Sequence, residues 1–71
     1  MTMENCYELL AVSSDGKEIR GMIVGSGCNL IAQAQNFLDS CRVRYPDKPA
    51  EYCEVWEEIY CGLMKHLVTV Y

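Results

Sequence analysis

Two runs rich in branched and aromatic side chains, Cys6 to Val12 and Glu18 to Val24, flank the segment Ser14-Asp15-Gly16-Lys17. Asp-Gly is a favoured two-residue hairpin turn, so the two runs are expected to pair as antiparallel strands. With Asp15 and Gly16 at the tip, Val12 pairs with Ile19, Leu10 with Gly21 and Glu8 with Ile23 on one face. The other face then carries Ala11 with Arg20, Leu9 with Met22 and Tyr7 with Val24. Both faces come out largely apolar.

Beyond Gly25-Ser26-Gly27 the period changes. From about Asn29 to Arg44, Leu30, Ala34, Phe37, Leu38 and Cys41 recur at helical spacing, with Gln33, Gln35, Asn36, Asp39, Ser40 and Arg42 around the rest of the circumference. One amphipathic helix is predicted, closed by Pro46. Asp47-Lys48-Pro49-Ala50-Glu51 then has the marks of a second helix start: a capping aspartate, a proline in the first turn and a glutamate close behind. On that helix Cys53, Trp56, Ile59, Tyr60, Leu63, Met64 and Leu67 share one side, with Glu51, Glu54, Glu58 and Lys65 opposite. A short strand at Val68-Thr69-Val70-Tyr71 may be added.

The fold expected is therefore α+β, an N-terminal β-hairpin followed by two amphipathic α-helices. The competing reading is ββαββ, with a second hairpin over residues 51–71 turning at Cys61-Gly62, so that Trp56 faces Leu67 and Glu58 faces Lys65. It draws on the strand preference of the last four residues and on the roughly 1 kcal/mol that Gly62 would cost inside a helix.

Length sharpens the question of what holds such a chain together. Seventy-one residues make one domain, and a domain this small buries only about 60% of the surface its unfolded chain exposes. Disulfides, a metal or a second chain are the usual supports. Five cysteines suggest the first. However, the number is odd, the spacings are wide, and Met1-Thr-Met-Glu-Asn-Cys shows neither the basic start nor the apolar stretch of an export signal. Reduced thiols in the cytoplasm are expected, with Cys6, Cys28, Cys41 and Cys53 acting as small buried hydrophobes. No apolar run approaches the ~20 residues that span a bilayer, so no membrane association is expected.

Metal and catalytic chemistry find little purchase. Cys53, Cys61 and His66 lack the close cysteine pairs of structural zinc sites, and on the predicted helix His66 points away from both thiols. A cysteine nucleophile would need Cys61 beside His66, the single histidine, yet nothing nearby lowers a thiol pKa. Gly25-Ser26-Gly27 lacks the patterns of phosphate-binding loops and reads as a strand-to-helix bend. No cofactor, metal or enzymatic activity is expected.

Charge and surface point to binding. The chain is 51% hydrophobic and 23% charged with a net charge of −4, and neither half is basic. Direct contact with nucleic acid through phosphates is thereby disfavoured. A hairpin covered on one face by helices would leave the other apolar face open, which predicts a partner protein or a homodimer. The residues assigned to partner binding are Tyr7, Leu9 and Met22 on the hairpin, with Glu51, Glu54, Glu58, Tyr52, Trp56 and Tyr60 on the second helix. The acidic stripe has the character of a phosphate-backbone imitation, and tyrosine and tryptophan dominate binding hot spots. In size, acidity and free cysteines the composition resembles that of small phage-encoded inhibitors, such as anti-CRISPR and other anti-defence proteins. That resemblance implies a small inhibitor or adaptor acting on a nucleic-acid-binding or defence complex. The alternative function is a small-ligand or nucleotide-binding homodimer that uses Gly25 to Gly27 as an anion site.

Overall fold

The structure, a computed structural model, describes residues 6–24, 29–60 and 62–71. Its elements are β1 (Cys6–Ser13), β2 (Glu18–Val24), α1 (Leu30–Arg44), β3 (Ala50–Tyr60) and β4 (Leu63–Val70). The four strands form one antiparallel sheet in the order β2-β1-β3-β4, with α1 packed on one side. The second helix expected over residues 50–71 is a hairpin, so the chain is ββαββ.

Strand wins over helix in this segment because pairing with β1 satisfies the backbone along most of its length. Tyr7 to Val12 lie opposite Glu57 to Tyr52, which makes β1 and β3 the central strands. Tyr52, Val55, Trp56, Ile59 and Tyr60 are all good strand formers, and their preference with the β1 pairing outweighs the Asp47-Lys48-Pro49 cap and the helical spacing of the apolar residues. Gly62, with φ of +84°, supplies the left-handed residue of the β3–β4 turn.

The expected register of the first hairpin is displaced by one residue. Val12 pairs with Glu18, Leu10 with Arg20 and Glu8 with Met22, whereas Ala11 pairs with Ile19, Leu9 with Gly21 and Tyr7 with Ile23. Gly16 explains it. The Gly16 N–H donates to the Ser13 carbonyl at 3.0 Å and Gly16 takes φ of +87°, so the loop holds three residues, 14–16, not two. Because side chains alternate, a slip of one exchanges the faces. Tyr7, Leu9 and Ala11 point inward with Ile23, and the two faces are unlike.

The inward positions at the centre of the sheet meet α1. Leu9, Ala11, Cys53 and Val55 are buried beneath Ala34, Leu38 and Cys41, the stripe predicted for the helix, and Leu30, Phe37, Val68 and Val70 close the edges. The Asn29 side chain caps α1 by accepting from the Ala32 N–H at 3.1 Å. Phe37 lies flat on the one inward strand position without a side chain: a Cβ on Gly21 would stand 2.7 Å from its ring. Arg42 ties the helix to the start of β3. Its guanidinium donates to the carbonyls of Ala50 at 2.9 Å and Glu51 at 3.3 Å, where an irregularity between Val12 and Ser13 interrupts the β1–β3 ladder.

The first turn is stapled by Asp15. Its carboxylate accepts from the Ser13 hydroxyl and from the Lys17 N–H, and pairs with Lys48 at 3.2 Å. These contacts, the serine hydrogen bond first, lower its pKa from 3.8 to about 2.

Two consequences are measurable. Leu38→Ala removes the largest fully buried side chain and should lower unfolding free energy by about 2–5 kcal/mol in chemical denaturation. For Asp15, the folded chain holds its proton more weakly than the unfolded chain does, so the carboxylate stabilises above pH 3.8 and that contribution fades as pH falls to about 2. The melting temperature of Asp15→Asn should therefore lie below that of the wild type at neutral pH and converge with it near pH 2; parallel curves would contradict the linkage.

Candidate functional site

The face of the sheet away from α1 carries the even-numbered residues of β1, those of β2 from Glu18 to Met22 and those of β3 from Tyr52 to Glu58, and registers place them in four rows. Glu18, Val12 and Tyr52 form the first, continued by Tyr71 just past the end of β4. Arg20, Leu10, Glu54 and Thr69 form the second, and Met22, Glu8, Trp56 and His66 the third. In the fourth, Glu58 pairs with Met64 and shares a small hollow with Cys6. Along β3 the face thus alternates aromatic and acidic: Tyr52, Glu54, Trp56, Glu58.

Helical spacing set the acidic and aromatic residues on opposite sides; strand spacing, with a period of two, puts them on one. Of the residues assigned to partner binding, Tyr52, Glu54, Trp56, Glu58 and Met22 share this face. Glu51 stands apart, exposed at the ladder irregularity before Tyr52. Tyr7 and Leu9 do not belong to the surface: both lie in the core beneath α1, on the face of β1 that alternation sets opposite Glu8 and Leu10. The side chain of Tyr60 lies outside the described residues.

Positions that sequence reasoning missed complete the site. Leu10 and Val12 form half-buried apolar ground between the glutamates. The Arg20 guanidinium donates to the Glu8 carboxylate at 2.7 Å, across the sheet. On the far side, His66 stands edge-on to Trp56, with ring centroids 5.2 Å apart, and its Nε2 lies 2.9 Å from the Thr69 hydroxyl. That encounter depends on a bulge. Val55 pairs with Val68 but Trp56 pairs with His66, so Leu67 is the extra residue, and without it Trp56 would meet Leu67 as the hairpin reading expected. Tyr52 and Tyr71 lie with centroids 6.0 Å apart at one end. Alternation would have revealed these partners had the register been known.

A shallow hollow of about 250 Å³ lies at the centre, between Leu10, Trp56 and Met64 with Glu8 and Arg20 beside it. Around it stand four glutamates against one arginine, a net charge of −3 with His66 neutral. Met22 is 72% exposed and Tyr71 78%. The face thus combines an apolar, aromatic centre with a carboxylate surround.

Cys53 is buried under α1 while His66 is on the open face, so the sheet separates two of the three side chains considered for zinc. Cys61 and the Gly25-Ser26-Gly27 bend lie outside the described residues. Burial pushes the Cys53 thiol up to about 11 and raises that of Cys41 as well. No helix among the described residues is long and apolar enough to cross a membrane. No protein family, curated protein or solved structure matches the chain in comparison.

Both buried thiols should react slowly with iodoacetamide at neutral pH in the native protein and quickly after denaturation. Peptide mass spectrometry of a labelling time course reads this directly, and rapid native labelling of Cys53 would be incompatible with its place in the core.

Proposed function

We propose that the chain is a non-enzymatic protein-binding module, a small inhibitor or adaptor that lays the open face of its sheet on a basic, apolar-centred surface of a larger protein. The observation that carries this reading is the convergence of Trp56, Tyr52, Leu10 and Met64 with Glu8, Glu18, Glu54 and Glu58 on one side of a sheet whose other side is the core.

Charge selects the kind of partner. Two copies stacked face to face would bring four glutamates of each against four of the other, and like charges meeting across an interface cost several kcal/mol. This disfavours the homodimer expected from sequence through this face and favours a surface of lysines and arginines. Nucleic-acid-binding proteins display such surfaces, which agrees with the compositional resemblance to phage-encoded inhibitors of defence complexes. Glu54 and Glu58 would meet the partner's cations, and Trp56 would fill an apolar recess or lie beneath a guanidinium.

Size is compatible. A standard interface takes roughly 800 Å² from each partner, about a sixth of the 4960 Å² that the chain exposes.

The test is affinity capture from lysate of the native or host cell, with nuclease and reducing agent present, using three baits: wild type, Trp56→Ala and Glu54→Lys/Glu58→Lys. One stoichiometric protein should be held by the wild type, released by added salt, and lost from both variants at least tenfold, while circular dichroism shows both variants folded. A partner retained by both variants would remove the open face from the account. Wild type running as a dimer in light scattering, with Trp56→Ala monomeric, would transfer the face to self-association.

A further inference from the structure

At the end of the molecule that holds the β1–β2 turn, the exit of α1 leaves a recess of about 260 Å³. Its origin is local. The Tyr45 N–H closes the helix on the Cys41 carbonyl at 2.9 Å, and the chain then descends through Pro46 to reach β3. The side chains beneath that descent are small or slim: Ser13, Cys41 and Ala50, with Ile19 as a side wall.

Three of the chain's six cations line this recess: Lys17, Arg44 and Lys48. Their partners differ. Lys48 is answered by Asp15 at 3.2 Å. The Lys17 ammonium sits 4.4 Å from the centroid of the Tyr45 ring, which orients it without neutralising it. Neither Lys17 nor Arg44 forms an ion pair among the described residues. Asp47 is the acidic residue of the lining, and the carbonyl end of α1 also faces this region. Arg42, the other basic residue of the last helical turn, is engaged by the β3 carbonyls and by Asp39. With Lys48 balanced by Asp15 and one more cation by Asp47, the recess keeps an excess positive charge in a protein of net charge −4.

The geometry points to a binding site for a small organic oxyanion, a carboxylate or phosphate carried on a compact apolar body. The oxyanion takes hydrogen bonds from Lys17 and Arg44, and the body rests on Ile19, Cys41 and Ala50. Tyr45 holds the Lys17 ammonium at the recess beforehand, so the ligand has the Arg44 side chain left to order. This site lies at one end of the plate, away from the hollow beside Trp56, and stands or falls independently of the protein-binding reading.

The test is a ¹H–¹⁵N titration of the full chain with benzoate and with phenyl phosphate, using benzyl alcohol as the neutral counterpart. Saturable shifts are expected at the amides of Lys17, Tyr45, Lys48 and Ala50, with Kd of about 1 mM or tighter for at least one anion. Which of the two binds more tightly distinguishes carboxylate from phosphate. Arg44→Gln and Lys17→Gln, both at exposed positions, should each weaken binding about tenfold, the loss of one charge-assisted hydrogen bond. Lys65→Gln on β4 should leave binding unchanged. Shifts that fail to saturate, equal shifts with benzyl alcohol, or full affinity in both Gln variants would overturn the assignment.

Discussion

A single apolar contact supports everything else in this chain: Ala34, Leu38 and Cys41 of the helix pressed onto Leu9, Ala11, Cys53 and Val55 of the two central strands. A domain this small has room for one core, and an antiparallel sheet can leave its second face to solvent. Once the odd positions of β1 and β3 are committed to the helix, the even positions are released from packing. The open face exists because the core is one-sided.

Which residues fall on which side is decided by backbone details of one residue each. Gly16 lengthens the first turn and thereby sets Ile19, Gly21 and Ile23, in place of Arg20 and Met22, beside the inward residues of β1. The extra residue at Leu67 sends His66 to the Trp56 side of β4. Arg42 meets the carbonyls exposed where the β1–β3 ladder is interrupted beside Glu51. Irregularities of this kind redirect side chains at little cost when a charged or polar group satisfies the backbone they expose.

The same details mark where sequence reasoning succeeds and fails. The span of the helix is legible, from about Asn29 to its stop before Pro46, because its period and breaker agree. The first hairpin is legible as a hairpin, but Asp15-Gly16 looks the same in a two-residue and a three-residue loop, and the faces follow the loop. In residues 50–60 the outward positions Tyr52 and Trp56 are aromatic and the inward Glu57 is charged, which blurs alternation, while Cys53, Trp56, Ile59 and Tyr60 happen to satisfy helical spacing. The open face thus hides its own strand: aromatic residues on the solvent side depart from the pattern that announces a strand. Trp56 is singled out by residue type and Glu54 and Glu58 as a helical stripe, whereas their sharing a face with Leu10, Arg20 and Met64 needed the register.

Alternation along β3 also divides the work of neighbouring residues with unusual sharpness. Cys53 and Val55 answer to packing, while Tyr52, Glu54 and Trp56 between and beside them answer to whatever the sheet meets. A lineage carrying this fold can therefore exchange every second residue of its central strand and change its partner while leaving its folding intact. Variation among descendants should accumulate with a period of two.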